Sequence, residues 1–286
     1  VGVTEDAARE LFAAAGSDLD ALRAGEDDSA TEAVFDIASE PAVETVTPPN
    51  VVAMRRGSDP ALAGTYVVLT AHFDHVGVGA PDETGDSIYN GADDNASGTA
   101  GLMEVAEAFA ALPEAPARSV IFLAVSGEEG GLLGSMAFAE NPTVPMDSII
   151  TNVNMDMIGR NAPDTVIGIG QEYSSLQDVL QGITTERPEL GLNVVLDQKP
   201  EEMLFFRSDQ LAFIQKGVPA VFFTTDLHED YHAPSDEPAK IDNDKASRVA
   251  RLAFYLAHRV AGDAVAPDWT AEGRQRVEQM LEGSPF

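Results

Sequence analysis

Four strand-like runs, Tyr66–Thr70, Ser119–Val125, Ile149–Met155 and Val218–Phe223, limit what this 286-residue chain can fold into. A continuous apolar run such as Ser119–Val125 is typical of a strand buried on both faces, which places layers above and below the sheet. Helical patterns separate the runs, over Ala96–Leu112, Leu132–Ala139, Leu176–Thr184, Asp209–Gln215 and Asp242–Val260. Shorter strand-like stretches lie at Val51–Arg55, Thr165–Ile169 and Asn193–Leu196. Strands alternating with helices predict an α/β fold, a three-layer α/β/α sandwich around a mostly parallel mixed sheet. Residues 4–15 read as a helix with Thr4 as N-cap and Gly16 just past its end, and Leu19–Ala24 adds a further turn. Ala30–Ala38 alternates like an edge strand, and Pro41, Pro48 and Pro49 then interrupt the chain. The reading divides the chain into an N-terminal extension (1–48), a catalytic domain (49–262) and an outer C-terminal helix (263–286, helical over Asp268–Leu281).

Charge narrows the function. Forty-eight acidic against seventeen basic residues give a net charge of −31, which argues against nucleic-acid binding. Zero cysteines remove thiol catalysis, disulfides and Cys-type zinc sites. No apolar run approaches the length of a membrane span, so the chain is expected to be soluble. With no initiator Met and no signal-peptide pattern, a chain opening at Val1 is read as processed or cut.

The chemistry collects between Ala71 and Gly98. There His72, Asp74, His75, Asp82, Glu83, Asp86, Asp93 and Asp94 occur with no Lys or Arg. Burying unpaired carboxylates costs several kcal/mol each, roughly, and a bound cation removes that cost. The other apolar runs end in the same way: Ser119–Val125 leads to Glu128 and Glu129, Ile149–Met155 to Asp156, and Val218–Phe223 to Asp226, His228, Asp230, Tyr231 and His232. In such folds the site lies beyond the carboxyl ends of the strands, so four such endings converge. Two His with several acids form the mixed nitrogen and oxygen donor set that suits zinc. His228-Glu229-Asp230-Tyr231-His232 matches HExxH, but that motif works only on a helix, and here it follows a strand and meets Pro234.

These blocks carry a resemblance. His72-Phe73-Asp74, Gly91-Ala92-Asp93-Asp94-Asn95, Glu128-Glu129, Asn154-Met155-Asp156-Met157-Ile158-Gly159, Arg207-Ser208-Asp209 and Tyr231-His232 occur in the order seen in the co-catalytic di-zinc aminopeptidases, peptidase family M28. The likeness covers roughly residues 50–260, and residues 1–25 also resemble the tail of a protease-associated domain. It implies the zinc-peptidase, phosphorylase/hydrolase-like fold and two zinc ions, one held by His72 and Asp156, the other by Glu129 and His232, with Asp93 bridging. Asp74 is implied to orient His72, and a cis peptide is implied at Asp93-Asp94. Glu128 is the implied general base, taking a proton from water at the metals so that hydroxide attacks the peptide carbonyl. Tyr231, assisted by Arg207, is implied to stabilise the oxyanion. Peptides with a free N-terminus are the implied substrates, apolar first residues such as Leu being common in the family, and export to the periplasm or outside the cell is the family habit.

Two other chemistries in the same superfamily stay open: a carboxypeptidase for acidic C-termini, which wants a basic pocket, and a glutaminyl cyclase. A binding module with a dead site would show lost ligands. His258 reads as structural, Asn95-Ala96-Ser97 as an accidental sequon and Gly168-Ile169-Gly170 as a turn. His75 and His228 receive no role, and Gln210, where relatives often have His, bears only on local contacts.

Overall fold

The computed structural model describes residues 4–25 and 46–283. The chain divides into two units, residues 1–46 and 47–286. In the first, α1 (Glu5–Ala14) begins where Thr4 Oγ1 accepts the Ala7 N–H, and α2 (Leu19–Ala24) begins where Asp18 accepts the N–H groups of Asp20 and Ala21. Arg9 joins the two helices, pairing with Glu5 at 2.8 Å and Asp20 at 2.6 Å. The strand expected at 30–38 lies outside the described residues.

The second unit is built on a seven-stranded sheet. Its elements run β1 (Val51–Arg55), β2 (Tyr66–His72), a small hairpin of β3 (Gly77–Val78) and β4 (Ile88–Tyr89), α3 (Gly98–Ala111), β5 (Ser119–Val125), α4 (Leu133–Glu140), β6 (Ile149–Met155), β7 (Thr165–Ile169), α5 (Leu176–Glu186), β8 (Asn193–Val195), α6 (Gln210–Ile214), β9 (Ala220–Thr224), α7 (Asn243–Gly262) and α8 (Ala271–Glu282). The spatial order is β1-β5-β2-β6-β9-β7-β8. The β5, β2, β6 and β9 strands are mutually parallel, β1 runs antiparallel to β5, and β7 runs antiparallel to β9. The expected mixed, mostly parallel sheet is therefore present.

Alternation along the central strands explains the three layers. Val67 and Leu69 of β2, with Val120 and Phe122 of β5, face a core shared with α3, α5 and α7. Val68, Ile121, Leu123 and Val125 point the other way, into a core with Phe138 of α4 and Phe213 of α6. Because successive side chains in a strand point to opposite faces, a run buried on both sides is apolar at most positions, with Thr151, Asn152 and Asn154 of β6 as buried polar exceptions. A third cluster joins Ile167, Ile169, Phe222 and Phe205 to Val277 of α8. Among the described residues no helix is long and apolar enough to cross a membrane.

Two stretches depart from expectation. The 71–98 loop contains the β3–β4 hairpin, whose strands pair at only two positions each, too short for a periodic signal. The helix expected from Ala96 begins at Gly98, after a wide turn over Ala92–Ser97 with non-helical backbone at Asp94 and Asn95. The cis peptide lies at Asp94-Asn95, which corrects its expected place at Asp93-Asp94.

Candidate active site

Parallel pairing brings the carboxyl ends of β2, β5, β6 and β9 to one edge of the sheet, and the polar loops meet there. His72 is the last residue of β2 and is fully buried. Its Nδ1 faces the Asp74 carbonyl oxygen at 3.1 Å. With Nδ1 as donor to that carbonyl, Nε2 carries a lone pair into the site. There it lies 3.3 Å from Asp94 Oδ1 and 3.3 Å from Asp156 Oδ1. The second oxygen of Asp94 faces a different cluster: His232 Nε2 lies 3.2 Å from Asp94 Oδ2 and 3.0 Å from Glu129 Oε2. One carboxylate thus serves two donor groups.

The position between the two groups belongs to Asp94, and the expected assignment to Asp93 is corrected by this geometry. Asp93 turns away: its Oδ1 accepts the Gly159 N–H at 2.7 Å and its Oδ2 lies 3.3 Å from His228 Nε2. At this turn the two consecutive side chains point in different directions, and Asp94 is the one that faces the cluster. His232, Glu129, Asp156 and His72 converge as expected.

The Glu128-Glu129 turn is fastened by Asp74. Its carboxylate accepts the N–H of Glu128 at 3.2 Å and of Glu129 at 3.3 Å, while only its backbone carbonyl closely meets His72. The expected orienting role is therefore shared between main chain and side chain. Glu128 reaches to 4.0 Å of His72 Nε2. Arg207 donates to Tyr231 Oη at 3.0 Å, and the Tyr231 ring stacks on His232 with centroids 3.9 Å apart.

Several supports were invisible in the sequence. Ser208 donates to Asp156 Oδ2 at 2.7 Å and itself accepts from Asn154, which also donates to Gln210. Gln210 is thus tied to a ligand candidate through two buried polar side chains. Asp236, fully buried, accepts the N–H of Asp93 at 2.9 Å and of Asp94 at 3.1 Å through Oδ2, and its carbonyl accepts the N–H of Ala92. His75 Nδ1 lies 2.8 Å from Glu129 Oε1. An acid two residues after Pro234 and a His three residues after His72 were the available signals, and neither spacing specifies such a contact. HExxH is refuted as a helical motif, since His228 lies in irregular backbone after β9 and His232 in a turn.

The electrostatics call for positive charge. Burial raises the Glu128 carboxyl to about 9; His72 opposes this, and Asp156, Asp209 and Glu129 add to it. Burial also raises Asp156. Burial alone would lower His72, but the Asp156 and Asp94 carboxylates lift it well above its usual value, and hydrogen bonds to Asp94 and Glu129 take His232 up to about 10. His72 Nε2 and Asp156 Oδ1 are buried and make no well-formed hydrogen bond among the described residues. Orphaned donor atoms and crowded carboxylates around one point are what a divalent cation relieves, and His72, Asp94 and Asp156 form one group able to hold it. Imidazole with carboxylate is a zinc-compatible set, so these residues fit that ion.

Two cavities adjoin this cluster. One, of about 30 Å³, is lined by Asp94, Asp156, Met157, Leu204, Phe222 and Leu227, among others. The other, of about 390 Å³, is lined by Leu132, Met136, Phe206, Leu211 and Gln215, among others. Glu128, Arg207 and Tyr231 border both.

An α/β sandwich whose strand ends converge on two carboxylate-linked donor groups defines a metallohydrolase-like protein. Residues 50–257 match the profile of Peptidase family M28, and the chain belongs to that family. A probable zinc metalloprotease of Leptosphaeria maculans is 36% identical over 115 residues, which are 40% of this chain and 25% of that protein. The Bacillus subtilis aminopeptidase YwaD is 25% identical over 197 residues, 65% of this chain and 39% of that protein. The solved structure of the aminopeptidase from Aneurinibacillus sp. strain AM-1 superposes with a TM-score of 0.60 at 22% identity, covering 77% of this chain and 48% of that one. The chain thus spans less than half the length of each of these three relatives.

Proposed function

We propose that the protein is an aminopeptidase that uses two zinc ions to remove single N-terminal residues from peptides. The observation that carries this reading is the division of the Asp94 carboxylate between two donor groups, His72 with Asp156 and His232 with Glu129. These residues would hold the two ions. When bound, such a pair supplies Lewis acidity at the carbonyl oxygen and makes water acidic enough to react near neutral pH.

The rest falls to the protein's own groups. Glu128 takes a proton from the attacking water and passes it to the leaving amine. Burial and the Asp94 charge push Tyr231 up to about 12, so its hydroxyl keeps its proton. Because Arg207 already donates to the Tyr231 oxygen, the hydroxyl hydrogen is free to point at the carbonyl oxygen as charge grows there. Asp94 and Asp156 line the small cavity and attract a cationic α-amine, while Met157, Leu204, Phe222 and Leu227 offer apolar contact to the first side chain. The carboxypeptidase alternative wants several cations, and Arg207 is the single one lining either of the two cavities.

Release of product from an aminoacyl anilide, measured with and without a chelator, tests the reading. Activity should vanish on chelation, return with zinc and be absent on an N-acetylated substrate. Glu128→Gln should lower kcat by roughly 10²–10⁴-fold. Full activity in that variant, or in the chelated protein, would overturn it.

A further inference from the structure

Of the five histidines, His72 and His232 belong to the two donor groups, His228 faces Asp93, and His258 stacks on Phe254 of α7. That leaves His75. The chain crosses the cluster just after β2: His72 Nε2 sits with Asp156, and three residues on, His75 stands on the other side, with Glu129. Its side chain is 9% exposed, and its ring meets that of His232 edge-on with centroids 5.6 Å apart. The backbone leaves room for this ring at Gly91, which holds a left-handed φ of 63°. A Cβ added there would lie 2.5 Å from His75 Cγ, so any side chain at that position collides with the imidazole.

The contacts of His75 are those of a ligand rather than of a hydrogen-bonded support. Its Nδ1 lies 2.8 Å from Glu129 Oε1 and 3.8 Å from Asp94 Oδ2. The first separation is short, yet the pair lacks the alignment of a hydrogen bond, and neither ring nitrogen finds another partner among the described residues. His72 Nε2 and Asp156 Oδ1 meet in the same way at 3.3 Å. Atoms that each lie about 2.0–2.1 Å from one zinc ion stand roughly 3 Å apart with no hydrogen between them. One ring nitrogen of His75 and one carboxylate oxygen each of Asp94 and Glu129 lie within 4.8 Å of one another, close enough to share a cation. Glu129 faces both imidazoles, His75 with Oε1 and His232 with Oε2 at 3.0 Å. We infer that His75 is a ligand of the second zinc ion, through Nδ1, beside Asp94, Glu129 and His232. The inference rests on the two-zinc reading. It makes the two sites unlike: one has two imidazoles and the other only that of His72. Imidazole suits zinc, whereas carboxylate also suits manganese and magnesium, so the second site selects its metal more strictly than the first.

X-ray absorption at the zinc edge counts imidazoles by their outer-shell scattering, independently of activity. The zinc-loaded protein should show three imidazoles shared by two ions, from His72, His75 and His232, and His75→Ala should show two. Calorimetric titration of His75→Ala with zinc should find one binding step weakened by more than about 100-fold, beyond the 10–100-fold loss typical of an outer support, and the other step nearly unchanged. His75→Asn should bind as weakly as His75→Ala, since its amide can donate where Nδ1 stands but is a poor zinc ligand. Circular dichroism of the chelated variants checks that they fold; where one does not, the count in the unsubstituted protein decides. Two imidazoles per zinc pair in that protein, or affinity restored by His75→Asn, would make His75 a hydrogen-bonded support and overturn the assignment. Saturation at a single zinc ion would instead remove the two-zinc reading, and this inference with it.

Discussion

Asp93 and Asp94 are chemically identical neighbours with opposite surroundings. Asp94 presents one oxygen to each donor group, whereas Asp93 spends its carboxylate on the Gly159 N–H and His228. Asp94→Asn should therefore weaken binding of both zinc ions by more than about 100-fold, beyond the 10–100-fold typical of an outer support, and Asp93→Asn should fall within that lesser range. Titrating each variant with zinc by calorimetry checks the order; equal losses would contradict it. Asp209 poses a different problem. It is fully buried, and neither carboxylate oxygen meets a donor at hydrogen-bond geometry among the described residues, since the nearby Ser135 hydroxyl bonds the Leu132 carbonyl. Burial lifts its carboxyl to about 7, His72 opposing and Asp156 and Asp74 adding to the rise. An acid raised on folding holds its proton longer in the native state than in the unfolded one. Its protonated form stabilises the fold at low pH, and that contribution is lost as pH rises from about 4 to about 7. In the chelated protein Asp209→Asn should accordingly raise the melting temperature above pH 7, by about 2–4 °C per kcal/mol recovered, and have little effect near pH 4. A melting curve showing the same shift at both pH values would refute the assignment.

At the scale of elements, the four strand endings were legible because strands buried on both faces are mostly apolar and stop where the site starts. Ser119–Val125, Ile149–Met155 and Thr165–Ile169 stand where their composition puts them. What stayed hidden is contact between loops. No periodicity relates Asp236 to Asp94, Ser208 to Asp156 or Asp74 to the Glu129 N–H; those pairings exist only after the sheet has formed. The choice between Asp93 and Asp94 was hidden for a related reason, as backbone direction at a wide turn is not written in residue type. Asp236 shows what such a loop contact does. It lies four residues after His232 and pins the backbone of Asp93 and Asp94, so one buried carboxylate couples the loops that carry Asp94 and His232. Arg160 balances it at 3.9 Å and binds Asp230 at 2.8 Å. Asp236→Ala should lower zinc affinity about 10–100-fold, with the chelated protein still folded by circular dichroism, and Asp236→Asn should retain part of the affinity through its remaining oxygen. Unchanged zinc affinity in Asp236→Ala would mean that the contact merely packs the loops.

For the whole molecule, a net charge of −31 surrounds a site whose carboxylates outnumber its one arginine, Arg207. A peptide's N-terminal ammonium is drawn toward such a field, and the reach of that field shrinks from about 30 Å at 0.01 M salt to about 10 Å at 0.1 M. Catalytic efficiency on small aminoacyl substrates should fall across that range, and a flat salt profile would dismiss steering. The parallel sheet has a last consequence. His72, Glu129, Asp156 and His232 follow four different strands, β2, β5, β6 and β9, and no two lie close together in sequence. A metal pair held by them would act as a cross-link, closing loops that together span most of the catalytic domain, much as disulfides do in chains that have cysteine. Evolution of a protein with no cysteine can place its staples at its chemistry, so that losing the catalyst and loosening the fold become one event.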